Sequence, residues 1–179
     1  MTTFRMPGDP PPGPEQFLDL SWEMFGELCR ALAMRVARDY EPELVVGIAR
    51  AGVIPAGIVS SVLGTDLYTM TISRRDADGE EQAMPEVFSR APRAASGRRV
   101  LIVDEITSSG ETLRLALAAI REAGASEVRT ATSFSRPGGY RPDYMALETD
   151  QTLIFPWDRK VWRDGEMVVN PRYEDVIDD

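Results

Sequence analysis

Histidine is absent from the 179 residues, and cysteine occurs once, at Cys29. Without histidine there is no Ser-His-Asp or Cys-His relay, no imidazole base and no histidine-ligated zinc. A lone cysteine excludes an intramolecular disulfide and a cysteine-rich metal centre, and its place in a helical pattern makes it core filler. Positive charge is also in short supply, since 20 Lys and Arg against 29 Asp and Glu leave a net charge of −9. Such a surface is unsuited to nucleic acid, whose phosphate backbone is bound by clustered cations that release counterions. Long apolar runs are missing too. Stretches such as residues 44–49 and 100–103 fall far short of the roughly 20 residues of a membrane helix. The first residues show no basic stretch followed by an apolar one, so the expectation is a cytoplasmic protein without a membrane partner. A small anionic ligand, held by a few basic groups and backbone amides, stays open.

Apolar residues make up 43% of the chain, enough for one core. The sequence predicts a single domain over residues 15–179 after a proline- and glycine-rich tail at residues 1–14. Trp22, Phe25, Cys29, Leu32 and Val36 recur at helical spacing behind Ser21, a suitable N-cap, and Met24 and Met34 are expected to pack beside them. Residues 44–48 form a short continuous apolar run, which marks a strand covered on both faces. A helix through Pro55, Ile58, Val59 and Val62 to Gly64 follows, and residues 66–72 read as the next strand. Residues 74–97 carry charges, prolines and little periodicity, and are expected to be a long mobile loop, which at that length should be functional. Further strands are expected at residues 99–104, 127–134, 144–148 and 153–155, with a helix at 112–123. Trp162, Arg163 and residues 174–179 read as a surface tail. The alternation predicts an α/β fold, an open, mostly parallel twisted sheet flanked by helices.

The most informative stretch runs from Val100 to Leu113. Four apolar residues lead to two acids, Asp104 and Glu105, and then to a hydroxyl-rich turn that opens onto a helix. Ligands bind at that end of a strand in open α/β sheets. The amides of residues 108–112, the hydroxyls of Ser109 and Thr112 and the positive end of the helix suit a phosphate dianion. The acids suit neighbouring sugar hydroxyls, directly or through a metal ion. The combination describes a phosphorylated sugar.

This segment resembles the ribose-phosphate signature of type I phosphoribosyltransferases. The resemblance extends over residues 20–157. Arg50-Ala51-Gly52 is similar to the family's pyrophosphate loop, and Tyr140-Arg141-Pro142-Asp143-Tyr144 with Phe155-Pro156-Trp157-Asp158 resembles the hood of its xanthine-guanine and hypoxanthine-guanine branch. The resemblance implies 5-phosphoribosyl 1-pyrophosphate as donor, Mg²⁺ as cofactor, a purine-like acceptor and a homodimer or higher homo-oligomer. It implies catalytic roles for Asp104, Glu105 and Arg50, and a 5′-phosphate site made of Thr107, Ser108, Ser109, Gly110, Glu111 and Thr112. Arg50, Ala51, Gly52, Arg74 and Arg75 would take the pyrophosphate, with a cis peptide at Arg50–Ala51. Residues 74–97 would be the lid, and residues 136–162 a small C-terminal hood. Arg136, Thr152, Leu153, Ile154, Phe155 and Asp158 would meet the base, and Asp104, Glu105 and Asp158 the metal.

Three departures from the family pattern fall on the base. Ser108 stands where purine enzymes carry an acid that exchanges a proton with the ring, and a hydroxyl is no carboxylate base. Arg136 replaces a lysine that reads the exocyclic oxygen, with a different reach. Thr152 replaces a stacking aromatic, leaving Phe155 or Tyr140 as substitutes. The pattern predicts normal donor binding with an altered acceptor, such as a modified purine, a deazapurine or another heterocycle. A non-catalytic sensor of the donor or a nucleotide on the same fold is the alternative.

Overall fold

The computed structural model describes residues 17–75 and 81–177, apart from the side chains of Arg75 and Glu81. The expected tail at residues 1–14 lies outside them. In chain order the elements are β1 (Phe17–Asp19), α1 (Trp22–Val36), β2 (Leu44–Ala49), α2 (Val53–Leu63), β3 (Asp66–Arg75), β4 (Glu81–Val87), β5 (Arg99–Thr107), α3 (Glu111–Glu122), β6 (Glu127–Ser135), β7 (Tyr144–Glu148), β8 (Thr152–Ile154), β9 (Lys160–Arg163) and β10 (Glu166–Val169). The chain divides into two compact units, one spanning residues 26–149 and the other joining residues up to 25 with those from 150 onward.

In the larger unit six strands lie in the order β4-β3-β2-β5-β6-β7. Every pairing is parallel except that of the edge strand β4. The strand pattern explains the layers, because alternate side chains leave a strand on opposite faces. Val45, Leu101, Val103 and Ala131 pack with Leu32, Ala33 and Val36 of α1 and Ala56 and Val59 of α2. Leu44, Val46, Ile48, Val100 and Ile102 pack with Leu113, Ala116 and Ile120 of α3. Burial on both faces accounts for the unbroken apolar runs in β2 and β5. Gly47 lets α2 approach closely, since a β-carbon there would lie 2.7 Å from that of Ala56.

The expected strands and helices of this unit are present, and β5 continues three residues past Asp104. Ser21 caps α1, its Oγ accepting the Met24 N–H at 3.1 Å. Phe25, Cys29, Leu32 and Val36 are buried as the spacing predicts, whereas Trp22, Met24 and Met34 are exposed. The two methionines lie off the buried stripe, so packing beside it is corrected.

The expected loop at residues 74–97 is also corrected. β3 runs on to Arg75, β4 returns antiparallel to it, and a 3₁₀ turn follows at Arg93–Ala95. The hairpin is tied by Phe88 N–H to Thr71 O at 2.8 Å and by Arg74 to Ala83 O at 3.0 Å. β4 carries Pro85 in a stretch that mixes polar and apolar residues without alternation. At a sheet edge a proline is tolerated and the strand needs no apolar alternation, so its sequence resembles a loop.

In the smaller unit β1 and β8 pair in parallel, and β9 and β10 form a hairpin. Asp164 and Gly165 make its two-residue turn with φ of 52° and 93°, as a type I′ turn demands. Phe155 stacks on Trp157 with centroids 4.6 Å apart, and Phe25 meets Trp157 edge-on at 4.9 Å. Residues 174–179 are not the expected surface tail throughout. Ile177 is buried with Ile154 and Tyr173, because an apolar stripe continues through Tyr173, Val176 and Ile177.

Candidate functional site

The winding of the sheet selects the site. From β2 the chain passes through α2 to β3 on one side, whereas from β5 it passes through α3 to β6 on the other. Between β2 and β5 the direction reverses, and the loops leaving their carboxyl ends diverge to open a crevice. Residues 50–52 follow β2 at this point, and residues 108–110 follow β5. A cis peptide is present one residue earlier than expected, at Ala49–Arg50, where β2 ends, so the expected Arg50–Ala51 position is corrected. The turn then folds back over the strand tips, and a β-carbon on Gly52 would lie 2.6 Å from Asp104 Oδ1 and 2.7 Å from Ile48 O. Arg50 is exposed beside it.

Asp104 is buried in β5 three residues before its end, its Oδ1 accepting the Glu105 N–H at 3.0 Å. Burial, and then the charge of Glu105, push its carboxyl well above the ordinary range. That pair is poised for a cation or for sugar hydroxyls. On β6 the register partner of Asp104 is Thr132, whose buried Oγ1 has no hydrogen-bond partner among the described residues.

The turn after the acids has all its carbonyls engaged. Thr107 O accepts the Arg136 N–H at 3.0 Å and Ser108 O the Tyr140 N–H at 2.7 Å. Ser109 O accepts Arg114 Nη1 at 2.8 Å and Gly110 O the Arg114 N–H at 2.9 Å. The amides of residues 108–112, by contrast, meet no acceptor among the described residues, and α3 begins at Gly110 without a side-chain cap. Open amides at the start of a 12-residue helix form an anion cradle. Gly110 has φ 77°, and a β-carbon there would overlap the ring of Tyr140. Glu111, at the cradle's rim, is ion-paired with Arg74 of the hairpin.

The larger unit thus brings together Arg50, Ala51, Gly52, Asp104, Glu105 and residues 107–112, with Arg74 joined to Glu111. Arg136 follows β6, and its guanidinium donates to Thr149 O at 3.1 Å. It lines a cavity of about 220 Å³ with Tyr140, Met145 and Glu148. The side chain of Arg75 lies outside the described residues. In the smaller unit Thr152 is exposed and Leu153 and Ile154 are buried. Phe155 offers one ring face to Trp157. The Asp158 carboxylate accepts Tyr173 Oη at 2.9 Å and Asn170 Nδ2 at 3.1 Å. Sequence reasoning passed over Arg114, Thr132 and Glu148, for an arginine in a first helical turn and a threonine in a strand carry no signal of their own.

Among the described residues no three acids, histidines or cysteines cluster as a ready metal centre. The donors that precede the turn are the carboxylates of Asp104 and Glu105, both oxygen. Such a set fits a hard cation that completes its shell with ligand oxygens and water.

Comparison with known proteins agrees with this geometry. Residues 20–165 match the phosphoribosyl transferase domain family. The xanthine-guanine phosphoribosyltransferase of Cereibacter sphaeroides is 36% identical over 156 residues, covering 80% of this chain and 88% of that protein. The purine phosphoribosyltransferase of Pyrococcus horikoshii superposes with a TM-score of 0.69 at 28% identity, over 79% of this chain and 94% of that one. The xanthine-guanine-hypoxanthine phosphoribosyltransferase of Helicobacter pylori, at 20% identity, shares the fold with the same TM-score over 79% of this chain and 93% of its own. No helix among the described residues is long and apolar enough to cross a membrane. The chain belongs to the phosphoribosyl transferase domain family and is an enzyme of that class.

Proposed function

We propose that the protein transfers the phosphoribosyl group of 5-phosphoribosyl 1-pyrophosphate to a purine or purine-like base. Pyrophosphate and a nucleoside 5′-monophosphate are the products. The observation that carries the reading is the cradle at residues 108–112, with its amides open and its carbonyls engaged, directly after Asp104 and Glu105. It takes the 5′-phosphate, and the acids take the ribose diol. The purine class follows the relatives at 36% and 28% identity, whose names specify xanthine-guanine and purine substrates.

In the reaction a ring nitrogen of the base forms its bond to the anomeric carbon as the bond to pyrophosphate breaks. The pyrophosphate leaves with the electron pair. The ring proton passes to solvent, since Ser108 supplies no carboxylate. Arg50, with the amides of Ala51 and Gly52, disperses charge on the departing group, and Asp104 and Glu105 face the developing oxocarbenium ion. Asp104 and Glu105 would hold Mg²⁺, which would supply charge neutralisation for the pyrophosphate. Asp158 is the third candidate ligand, but its carboxylate already serves Tyr173 and Asn170. Arg74 and Arg75, on the hairpin, are assigned to lid closure over the pyrophosphate. Arg136, Thr152 and Phe155 are assigned to the base. We place the enzyme in the cytoplasm, as a homodimer or higher homo-oligomer.

Steady-state assays with donor, Mg²⁺ and guanine, xanthine, hypoxanthine or adenine test the reading. Conversion of at least one base is expected. Donor binding without conversion of any of the four moves the acceptor to a modified heterocycle, or the protein to a sensor. A folded protein that fails to bind the donor overturns the proposal.

A further inference from the structure

Arg114 and Tyr140 each touch the phosphate cradle twice. The backbone N–H of Arg114 reaches Gly110 O at 2.9 Å as the first i→i−4 bond of α3, and its side chain adds Nη1 on Ser109 O at 2.8 Å. Tyr140 uses its N–H on Ser108 O at 2.7 Å and lays its ring where a side chain on Gly110 would stand. The two also meet each other, with the guanidinium 5.0 Å from the ring centroid, a cation–π distance.

These bonds have a consequence for the opposite side of the turn. Each peptide is a rigid plane whose carbonyl and following N–H point opposite ways. Tying the carbonyls of residues 108, 109 and 110 therefore aims the N–H groups of 109, 110 and 111 away from Tyr140 and Arg114. Those are the amides left without an acceptor. An unrestrained turn would rotate its peptides freely between carbonyl-out and amide-out states, and a phosphate would meet repulsive oxygens part of the time.

We propose that Arg114 and Tyr140 act as a pair of positioning residues, which fix the peptide planes of residues 108–110 so that their amides converge on the 5′-phosphate. Their effect reaches the ligand through the backbone. The inference rests on the assignment of this turn to the 5′-phosphate.

Calorimetric titration with ribose 5-phosphate, and separately with Mg²⁺-pyrophosphate, tests it on wild type, Arg114→Ala, Arg114→Lys, Tyr140→Leu, Tyr140→Phe and the Ala/Leu double variant. Ribose 5-phosphate affinity should fall roughly 10-fold or more in Arg114→Ala, as for loss of a charge-assisted hydrogen bond, and by a similar factor in Tyr140→Leu, which removes the ring packed against Gly110. The double variant should be no more than about twofold weaker than the weaker single, because both act on one element. Tyr140→Phe, which keeps the ring, should restore binding, and pyrophosphate affinity should hold throughout. Full recovery in Arg114→Lys would show that charge alone matters and would overturn the proposal, as would equal losses for both ligands. If Tyr140→Leu does not fold, the Arg114 variants decide. Variants that bind like wild type remove the clamp and leave the phosphate site standing. A wild type that binds pyrophosphate but not ribose 5-phosphate removes the assignment of the turn itself.

Discussion

Gly110 and Tyr140 occupy adjoining space so fully that a β-carbon on the glycine would overlap Cγ of the ring, and the glycine stands at a φ of 77°. Both facts bar a side chain at this position. Gly110→Ala should therefore lower stability by about 2 kcal/mol. For a chain of this length that corresponds to a Tm lower by roughly 4–8 °C. Thermal unfolding checks it, and an unchanged Tm would mean that the ring moves aside at no cost.

Asp104 and Glu105 are expected to matter for the ligand and not for the fold. The Asp104→Asn, Glu105→Gln double variant should lose donor binding or transfer while its Tm stays level or rises, since burying a carboxylate beside another is unfavourable. Circular dichroism and donor titration together separate the two effects. Unchanged activity would refute the role given to these acids.

The orphaned hydroxyl of Thr132 leads to an opposite expectation from most core substitutions. Valine has nearly the same shape without the unsatisfied group, so Thr132→Val should raise stability by about 1 kcal/mol. The increase should be read by denaturant unfolding of the ligand-free protein. A loss of stability would show that a bridging water satisfies the hydroxyl, next to the register position of Asp104.

Cys29 supplies a dependence on pH. Burial pushes its thiol from 9.0 up to about 11, against a weaker downward pull from Ser133, whose Oγ lies 3.6 Å away. The folded state thus holds the proton more tightly than the unfolded state. Its contribution is complete below pH 9 and is lost as pH rises through 9 to 11. Wild type should lose stability between pH 9 and 10 by up to about 1 kcal/mol more than Cys29→Ala does. Denaturant midpoints at pH 8, 9 and 10 measure this. Tyr173, raised to about 12, contributes mainly above that interval. In the folded protein a thiol reagent should leave Cys29 unmodified at neutral pH.

The parts that could be read from the sequence were those where one physical demand dominates the residue choice. β2 and β5 must be apolar on both faces, so their runs stand out, and Gly64 halts α2 at a φ of 68°. The cradle was legible because acids, hydroxyls and Gly110 occur there in one continuous order. β4 was illegible for the converse reason, as an edge strand with Pro85 satisfies no periodic rule. The partners of the cradle, Arg114 and Tyr140, belong to different stretches of sequence. Only the fold brings the segment after β6 against the turn after β5, and no spacing rule records that meeting. Neither did the chain's pattern show that Arg74 would face Glu111, a pairing set by how far the β3–β4 hairpin extends.

The pairing of β1 with β8 has a consequence for biosynthesis. Strands about 130 residues apart cannot join until most of the polypeptide has left the ribosome. The six-stranded sheet, whose final strand ends at residue 148, can be laid down during translation, but the aromatic stack behind β8 must wait. A nascent chain arrested at residue 149 would carry the turn at residues 108–112 and lack the Phe155–Trp157 stack, so the smaller unit is completed last.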